Sequence, residues 1–177
     1  LQASPGRYNY GSSGNGTIVH LTSELFKAST GTFVLHIPYR GTALVVPDMM
    51  TGQIHLLFDN IASAMPHIKD GKLRAIAVTS PQRSTLLPSL PTIAEAVPGF
   101  ESVTWFGVFG PWGLAPGIVQ KLSSEINAVL KAPEFQDRLR ALGFDAAGGT
   151  PADFARQVAS DTAKWAALIK ERRITAE

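Results

Sequence analysis

The feature that most constrains this sequence is a glycine- and serine-rich turn between a short apolar segment and a helical pattern. It reads Tyr-Asn-Tyr-Gly-Ser-Ser-Gly-Asn-Gly-Thr-Ile-Val-His over residues 8–20. Glycines at positions 11, 14 and 16 allow positive φ and let the backbone approach a ligand closely. The helix predicted from Ile18 to about Ser29 directs its free N–H groups into this loop, as at many carboxylate and phosphate sites.

The side chains of this loop add hydrogen-bonding groups at Ser12, Ser13, Asn15 and Thr17. A hydrogen bond to a charged oxygen contributes roughly 1.5–3 kcal/mol, so two or three would hold a small anion. Similar loops also cap many helices without binding a ligand, and the loop alone leaves both interpretations open. Its glycine spacing differs from that of the dinucleotide fingerprint, the Walker loop and the nucleophile elbow.

The composition is that of a globular protein and excludes several kinds of site. The 177 residues carry a net charge of +2 without a basic run, so no nucleic-acid surface is indicated. The chain has no cysteine, which excludes disulfides and thiolate chemistry and suits an exported protein. The four histidines lack the spacing of metal ligands, so neither a metal nor a cofactor is expected.

Strands and helices alternate over the first hundred residues. Apolar runs predict strands at residues 33–39, 54–58 and 73–78, and helical patterns occupy residues 42–50 and 61–69. This alternation predicts an α/β fold with a parallel sheet covered by helices on both faces. Ligands of such sheets bind at the carboxyl ends of the strands, so the three loops that follow the strands are expected to converge.

Two side chains at that edge are candidates for ligand contact. Tyr39 follows the second strand and offers an apolar wall with one hydroxyl group, or simply packs beside the turn. Asp59 follows the third strand. It either caps the next helix together with Asn60, or accepts a hydrogen bond from a ligand or an ordered water.

The second part of the chain has a different pattern. Prolines interrupt residues 80–100, and we place a lobe boundary near residue 100. The aromatic and β-branched run at 100–109 predicts a strand. Helices are predicted from Pro116 onward, across residues 135–142, and from a capping box formed by Thr150 and Asp153.

Several segments, taken together and in order, resemble the Bug family of periplasmic receptors, the extracytoplasmic solute-binding proteins of tripartite tricarboxylate transporters. They are Tyr-Gly-Ser-Ser-Gly-Asn-Gly-Thr (10–17), Pro-Tyr-Arg-Gly (38–41), Gly-Gln-Ile (52–54), Phe-Asp-Asn (58–60), Pro-His-Ile-Lys-Asp-Gly-Lys-Leu-Arg-Ala (66–75), Leu-Pro-Thr-Ile-Ala-Glu-Ala (90–96), Pro-Gly-Phe (98–100) and Trp-Phe-Gly (105–107). The resemblance covers nearly the whole chain.

The resemblance implies a two-lobed Venus-flytrap protein that captures a small carboxylate, such as a di- or tricarboxylate, an amino acid or an aromatic acid. Such receptors deliver the ligand to membrane transporter subunits and perform no catalysis. By this likeness the polar side chains of the glycine-rich loop would contact the ligand or its waters. Tyr39, Gly41 and Asp59 would line the same cleft.

The resemblance also divides the chain, with residues 1–100 as the second ligand-binding lobe and residues 101–177 as the C-terminal part of the first. Such receptors have a further N-terminal half-lobe, of order 100 residues, before the loop. Here only residues 1–7 precede the first strand, without an initiator Met or a signal-peptide pattern, so we expect an N-terminally truncated receptor. Residues 101–177 would then keep bare apolar surface, and a homodimer through this incomplete lobe is one expected consequence.

The sequence therefore predicts a periplasmic carboxylate receptor without nucleic-acid partners. The alternative is a stand-alone α/β enzyme that acts on an anionic substrate at the same loop edge. A third interpretation is a scaffold that folds and binds nothing.

Overall fold

The computed structural model describes residues 1–175, which fall into two compact units. The first unit contains residues 1–104 together with the chain from Trp165 onward, and the second contains residues 105–164. The predicted division into lobes at residue 100 stays a prediction.

A small parallel sheet organises the first unit. Its strands are β1 (Asn9–Ser12), β2 (Leu35–Pro38) and β3 (Leu56–Leu57), in the order β2-β1-β3. Ser12 at the end of β1 pairs with Pro38, and Gly11 pairs with Leu57. The predicted α/β fold with a parallel sheet flanked by helices is confirmed, and its three carboxyl ends lie at one edge.

Two helices of the first unit agree with their predicted bounds to within a residue, whereas the helix predicted at residues 42–50 is a 3-10 turn followed by a shorter α-helix. The helices are α1 (Ile18–Thr30), α2 (Val45–Met50) and α3 (Ile61–Lys69), with 3-10 turns at Thr42–Leu44 and Ile93–Glu95. Thr17 caps α1 because its hydroxyl accepts the N–H of His20, and Gly31 ends it in the left-handed region.

A buried ion cluster joins α1 to the end of the chain's last helix, α6 (Pro151–Arg172). The Glu24 carboxylate accepts hydrogen bonds from the Tyr10 hydroxyl at 2.6 Å, from Lys27 at 2.5 Å and from Arg172 at 3.1 Å. Burial opposes ionisation of Glu24, but these donors outweigh it and lower the carboxyl pKa. The same carboxylate and the burial of the ring raise the pKa of Tyr10.

The second unit is helical. It contains α4 (Pro116–Lys131), α5 (Pro133–Ala141) and the first part of α6. Thr150 and Asp153 form the predicted capping box, since each accepts the other's backbone N–H. The Trp105 indole N–H donates to Asp161 at 2.5 Å, and its ring packs edge-on against Phe154.

Two strand predictions were wrong. Residues 73–78 contribute only an isolated bridge between Val78 and Thr92, and residues 100–109 contain no strand. Both segments have β-forming side chains, but a strand also needs a hydrogen-bonded neighbour. No strand of the described residues lies alongside either segment, and Ile76 and Phe106 are 69% and 77% exposed.

Candidate functional site

The three loops after the strands come together at the carboxyl edge of the sheet, as predicted. The N–H of Tyr39 donates to the Ser12 carbonyl at 3.0 Å, which joins the loop after β2 to the glycine-rich loop. Because β2 and β3 both run parallel to β1, the loop after β3, which contains Asp59, lies at the same edge of the sheet.

The glycines of the first loop have two different roles. Gly14 and Gly16 have φ values of 123° and 72°, as predicted for this turn. The prediction of positive φ was wrong for Gly11, which is a residue of strand β1. A Cβ atom at Gly11 would lie 2.3 Å from Val45 Cγ1, so this glycine serves the close packing of α2 against β1.

Ser12 is fully buried, and its hydroxyl is occupied within the protein. It lies 2.6 Å from His36 Nε2, accepts the N–H of Gly14 at 3.2 Å and donates to the Gly14 carbonyl at 3.3 Å. The structure therefore places Ser12 beneath the turn, where it fixes the backbone of the loop.

Ser13, Asn15 and Thr17 lie in the half-exposed part of the loop. The Thr17 hydroxyl donates to the Gly14 carbonyl at 2.8 Å and caps α1, so its oxygen is shared between turn and helix. Within residues 1–175, the N–H groups of Ile18 and Val19 in the first turn of α1 find no hydrogen-bond acceptor. These groups suit an anionic oxygen.

The loop after β2 places Tyr39 and Gly41 beside this turn. The Tyr39 hydroxyl donates to Asp48 of α2 at 2.5 Å, and this bond to a carboxylate raises the pKa of Tyr39 to about 12. Gly41 precedes the 3-10 turn with φ 131° and ψ 150°, a conformation that favours glycine. A Cβ atom at Gly14 would lie 3.6 Å from the Tyr39 carbonyl oxygen, so the two loops are close neighbours.

Asp59 is partly buried at the end of β3. Burial raises the pKa of its carboxyl group against the opposing effects of Ser63, the Asn60 N–H, Thr42 and His67. Asn60 occupies the N-cap position of α3 without a side-chain cap bond, so the predicted Asp-Asn cap is limited to the 2.9 Å bond from the Asn60 N–H to Asp59 Oδ1. The Ser63 hydroxyl donates to the Asn60 carbonyl at 3.0 Å, which fixes the start of α3 beside this carboxylate.

Two stacked histidines under the glycine-rich loop were not identified as a pair from the sequence. His20 of α1 and His36 of β2 stack with ring centroids 4.0 Å apart and 9° between their planes. His36 also stacks on Tyr10 at 4.7 Å, and His20 Nδ1 accepts the N–H of Gly16 at 3.0 Å. The spacing of four residues from Gly16 to His20 was the signal in the sequence that could have indicated the contact between this histidine and the loop.

A groove of about 420 Å³ lies at α2 and the end of α3, and none of the residues predicted for the site lines it. Its walls are mainly apolar, and Met50, His67 and Lys72 are among the residues that line it. His67 Nδ1 is buried and has no hydrogen-bond partner within the described part of the chain.

Neither metal binding nor a membrane span is indicated by residues 1–175. No group of three or more His, Asp or Glu side chains there could hold a metal ion. Of the helices in that part of the chain, none is long and apolar enough to cross a membrane.

Comparison with protein families matches residues 1–174 to the tripartite tricarboxylate transporter family receptor. The UPF0065 protein in the tcbD-tcbE intergenic region of Pseudomonas sp. (strain P51) is 41% identical over 97% of this chain and 52% of its own length. BugT of Bordetella pertussis is 33% identical over 96% and 52%. The chain thus spans about half the length of these curated relatives.

A shorter relative is also similar. The UPF0065 protein in the clcB-clcD intergenic region of Pseudomonas knackmussii is 37% identical over 163 residues, which cover 91% of this chain and 96% of the relative.

Three solved structures are similar to this chain. Rpa4515 of R. palustris with adipate has a TM-score of 0.84 at 37% identity, covering 98% of this chain and 58% of its own. The periplasmic binding protein BugD has a TM-score of 0.79 at 31% identity, covering 99% and 60%. MatC of Rhodopseudomonas palustris with bound malate has a TM-score of 0.76 at 26% identity, covering 93% and 57%.

Proposed function

This chain belongs to the tripartite tricarboxylate transporter receptor family, and we propose that it captures a small carboxylate for such a transporter. Its resemblance to the Bug receptors is confirmed by the family match and by the similarity to BugT and BugD. The observation that carries the proposal is the meeting of three loops and the start of α1 at one sheet edge.

In this proposal the carboxylate binds at the first turn of α1. The N–H groups of Ile18 and Val19 donate to one carboxylate oxygen, and the side chains of Ser13, Asn15 and Thr17 contact the ligand or its waters. Two hydrogen bonds to a charged oxygen contribute about 4 kcal/mol, which corresponds to a Kd near 1 mM. Tighter binding needs contacts from elsewhere in the receptor.

The neighbouring loops complete this side of the cleft. Gly41 and the ring of Tyr39 line it, while Ser12 holds the loop from below. Asp59 accepts from a ligand hydroxyl or ammonium group, or holds a water, since an ionised Asp59 would otherwise repel a second carboxylate. Burial raises the pKa of the Asp59 carboxyl group, and protonation would remove that repulsion.

Dicarboxylates are the ligands to test first. Two structural relatives hold adipate and malate, and both compounds carry two carboxylates on a short chain. Tricarboxylates, amino acids and aromatic acids belong in the same panel, because the far end of the ligand would contact parts of the receptor beyond this loop edge.

The proposal places the protein in the periplasm, with membrane transporter subunits as partners and no catalytic step. It also includes a homodimer. In the second unit, Ile118, Leu122 and Val129 of α4 follow helical spacing on one face and are exposed, as is Phe109. A second copy of this chain would cover this surface, and the Pseudomonas knackmussii relative is of similar length.

Sedimentation velocity tests the homodimer. We expect a concentration-dependent dimer that Leu122→Glu dissociates. A monomer at all concentrations would exclude this part of the proposal without affecting ligand capture.

Calorimetry with adipate and malate tests ligand capture, and Asn15→Asp is the informative variant. A carboxylate at position 15 would repel the ligand, and we expect at least roughly tenfold weaker binding. Gln53→Glu is the matched control, because it adds the same charge at an exposed residue before β3. No binding across the whole panel would refute the receptor function. Substrate turnover that Asp59→Ala abolishes would favour the alternative of an enzyme.

A further inference from the structure

We propose that His20 and His36 are positioning residues that hold the glycine-rich loop in its carboxylate-binding conformation, and that His20 does so only as a neutral imidazole. This inference rests on the proposed function, because it concerns the same loop. Neither histidine is assigned to ligand contact.

His20 acts on the loop through a backbone hydrogen bond. The N–H of Gly16 donates to His20 Nδ1 at 3.0 Å, which requires that this nitrogen carry no proton. Gly16 directly precedes Thr17, the N-cap of α1, and this bond therefore fixes the entry into the helix start. Protonation of Nδ1 would replace the acceptor with a donor that faces the Gly16 N–H, and the bond would be lost.

His36 acts on the same loop through Ser12. Its Nε2 lies 2.6 Å from the Ser12 hydroxyl, which in turn bonds both the N–H and the carbonyl of Gly14. The two histidines therefore hold the two glycines with positive φ, Gly14 and Gly16. The two rings are also in direct contact, with their centroids 4.0 Å apart.

The surroundings of the pair favour the neutral rings. Burial lowers the pKa of both histidines, and for His36 the neighbouring His20 lowers it further, to about 4. The other ionisable groups are Tyr10 of β1, Glu24 and Lys27 of α1, and Arg172 of α6. Glu24 favours protonation of the rings and Lys27 opposes it, while Lys27 and Arg172 both neutralise Glu24.

The first test follows the loop without ligand. In nuclear magnetic resonance spectra of the full chain, the amide signal of Gly16 should move in step with protonation of the His20 imidazole as the pH is lowered. His20→Asn retains an oxygen acceptor near the position of Nδ1 and does not titrate there, so the pH-dependent movement at Gly16 should shrink. His55→Asn is the matched control, since His55 Nδ1 accepts the N–H of Asn9 at the opposite end of β1.

The second test measures adipate affinity by calorimetry from pH 7.5 to pH 4. His20→Phe keeps a ring in the stack but removes the acceptor, and we expect roughly fivefold weaker binding at pH 7.5, equivalent to one hydrogen bond. His20→Asn should bind nearly as the unaltered chain does at pH 7.5 and lose less affinity at pH 4. Protonation of adipate affects all variants equally and cancels in the comparison.

Two results would overturn the inference. One is a Gly16 amide that titrates identically in the unaltered chain and in His20→Asn. The other is an affinity ratio between these two proteins that stays constant with pH. Absence of adipate binding would count against the proposed function for this probe, and the ligand-free amide titration would still decide whether the histidines position the loop.

Discussion

Replacement of His36 by Gln should remove most of one pH-dependent contribution to stability. The ring lies between Tyr10 and His20, and its pKa is lowered from 6.5 to about 4 by burial and by the adjacent imidazole. The unfolded chain therefore binds a proton at this residue more readily than the folded chain. Acid will favour unfolding through His36 until the folded form is also protonated.

The pH window follows from the two pKa values. Stability from the neutral ring is fully present above about pH 6.5 and is lost as the pH falls toward 4. One pKa unit corresponds to about 1.36 kcal/mol, so the loss between pH 7.5 and pH 4 is about 3 kcal/mol. The His36→Gln variant cannot lose this stability at low pH, because glutamine does not titrate.

Urea unfolding at a series of pH values measures the effect. At each pH, the free energy of unfolding of His36→Gln is subtracted from that of the unaltered chain. This difference should be about 3 kcal/mol larger at pH 7.5 than at pH 4. Carboxyl groups contribute equally to both proteins and cancel. His55→Gln, which removes an exposed histidine, is the control. Equal pH dependence of stability in the unaltered chain and in His36→Gln would show that folding does not lower the pKa of His36.

Three further predictions concern packing and ionisation. Glu24→Gln leaves the cation of Arg172 without its anionic partner, and we expect a loss of about 3–5 kcal/mol in urea unfolding. A change below about 1 kcal/mol would contradict a buried ion cluster. Gly11→Ala places a Cβ atom within 2.3 Å of Val45 and should lower the free energy of unfolding by roughly 1–3 kcal/mol. The second substitution Val45→Ala should restore part of this loss. An unchanged free energy of unfolding would show that the contact is not tight. In an ultraviolet titration, Tyr39 should ionise near pH 12 and Tyr39→Phe should abolish that transition, whereas an unaltered curve would contradict its bond to a carboxylate.

The helices were predictable because their signals are local. The N-cap hydroxyl of Thr17, Gly31 after α1 and the capping box at Thr150 each act within a few residues. Their spacing can therefore be read from the sequence without knowledge of the tertiary contacts.

The strands were less predictable because pairing is not local. Residues 100–109 have the side chains of a strand, but the described residues offer them no partner, and the segment remains irregular. Residues 54–58 do pair, yet only Leu56 and Leu57 form β3. The sequence pattern indicates which residues favour an extended conformation, but a strand forms only where a neighbouring strand can pair with them.

The candidate site was predictable at the level of loops and less so at the level of side chains. The alternation of strands and helices predicts a parallel sheet, and the loops after β1, β2 and β3 are then expected to converge. The orientation of Ser12 into the protein depends on His36, which lies 24 residues away in the chain. The stack of His20 on His36 likewise depends on how α1 packs beside the sheet, which no local pattern encodes.

Carboxylate capture at the loop edge can be tested directly by following the backbone amide signals of the isotope-labelled chain during titration with adipate, malate, citrate and benzoate. Binding as weak as about 10 mM remains visible in such a titration. We expect at least one of these acids to move the signals of residues 13–19 and 39–42 together, with smaller movements near Asp59. Movements confined to the groove at α2 and α3, or none with any of the four, would contradict carboxylate capture at the loop edge.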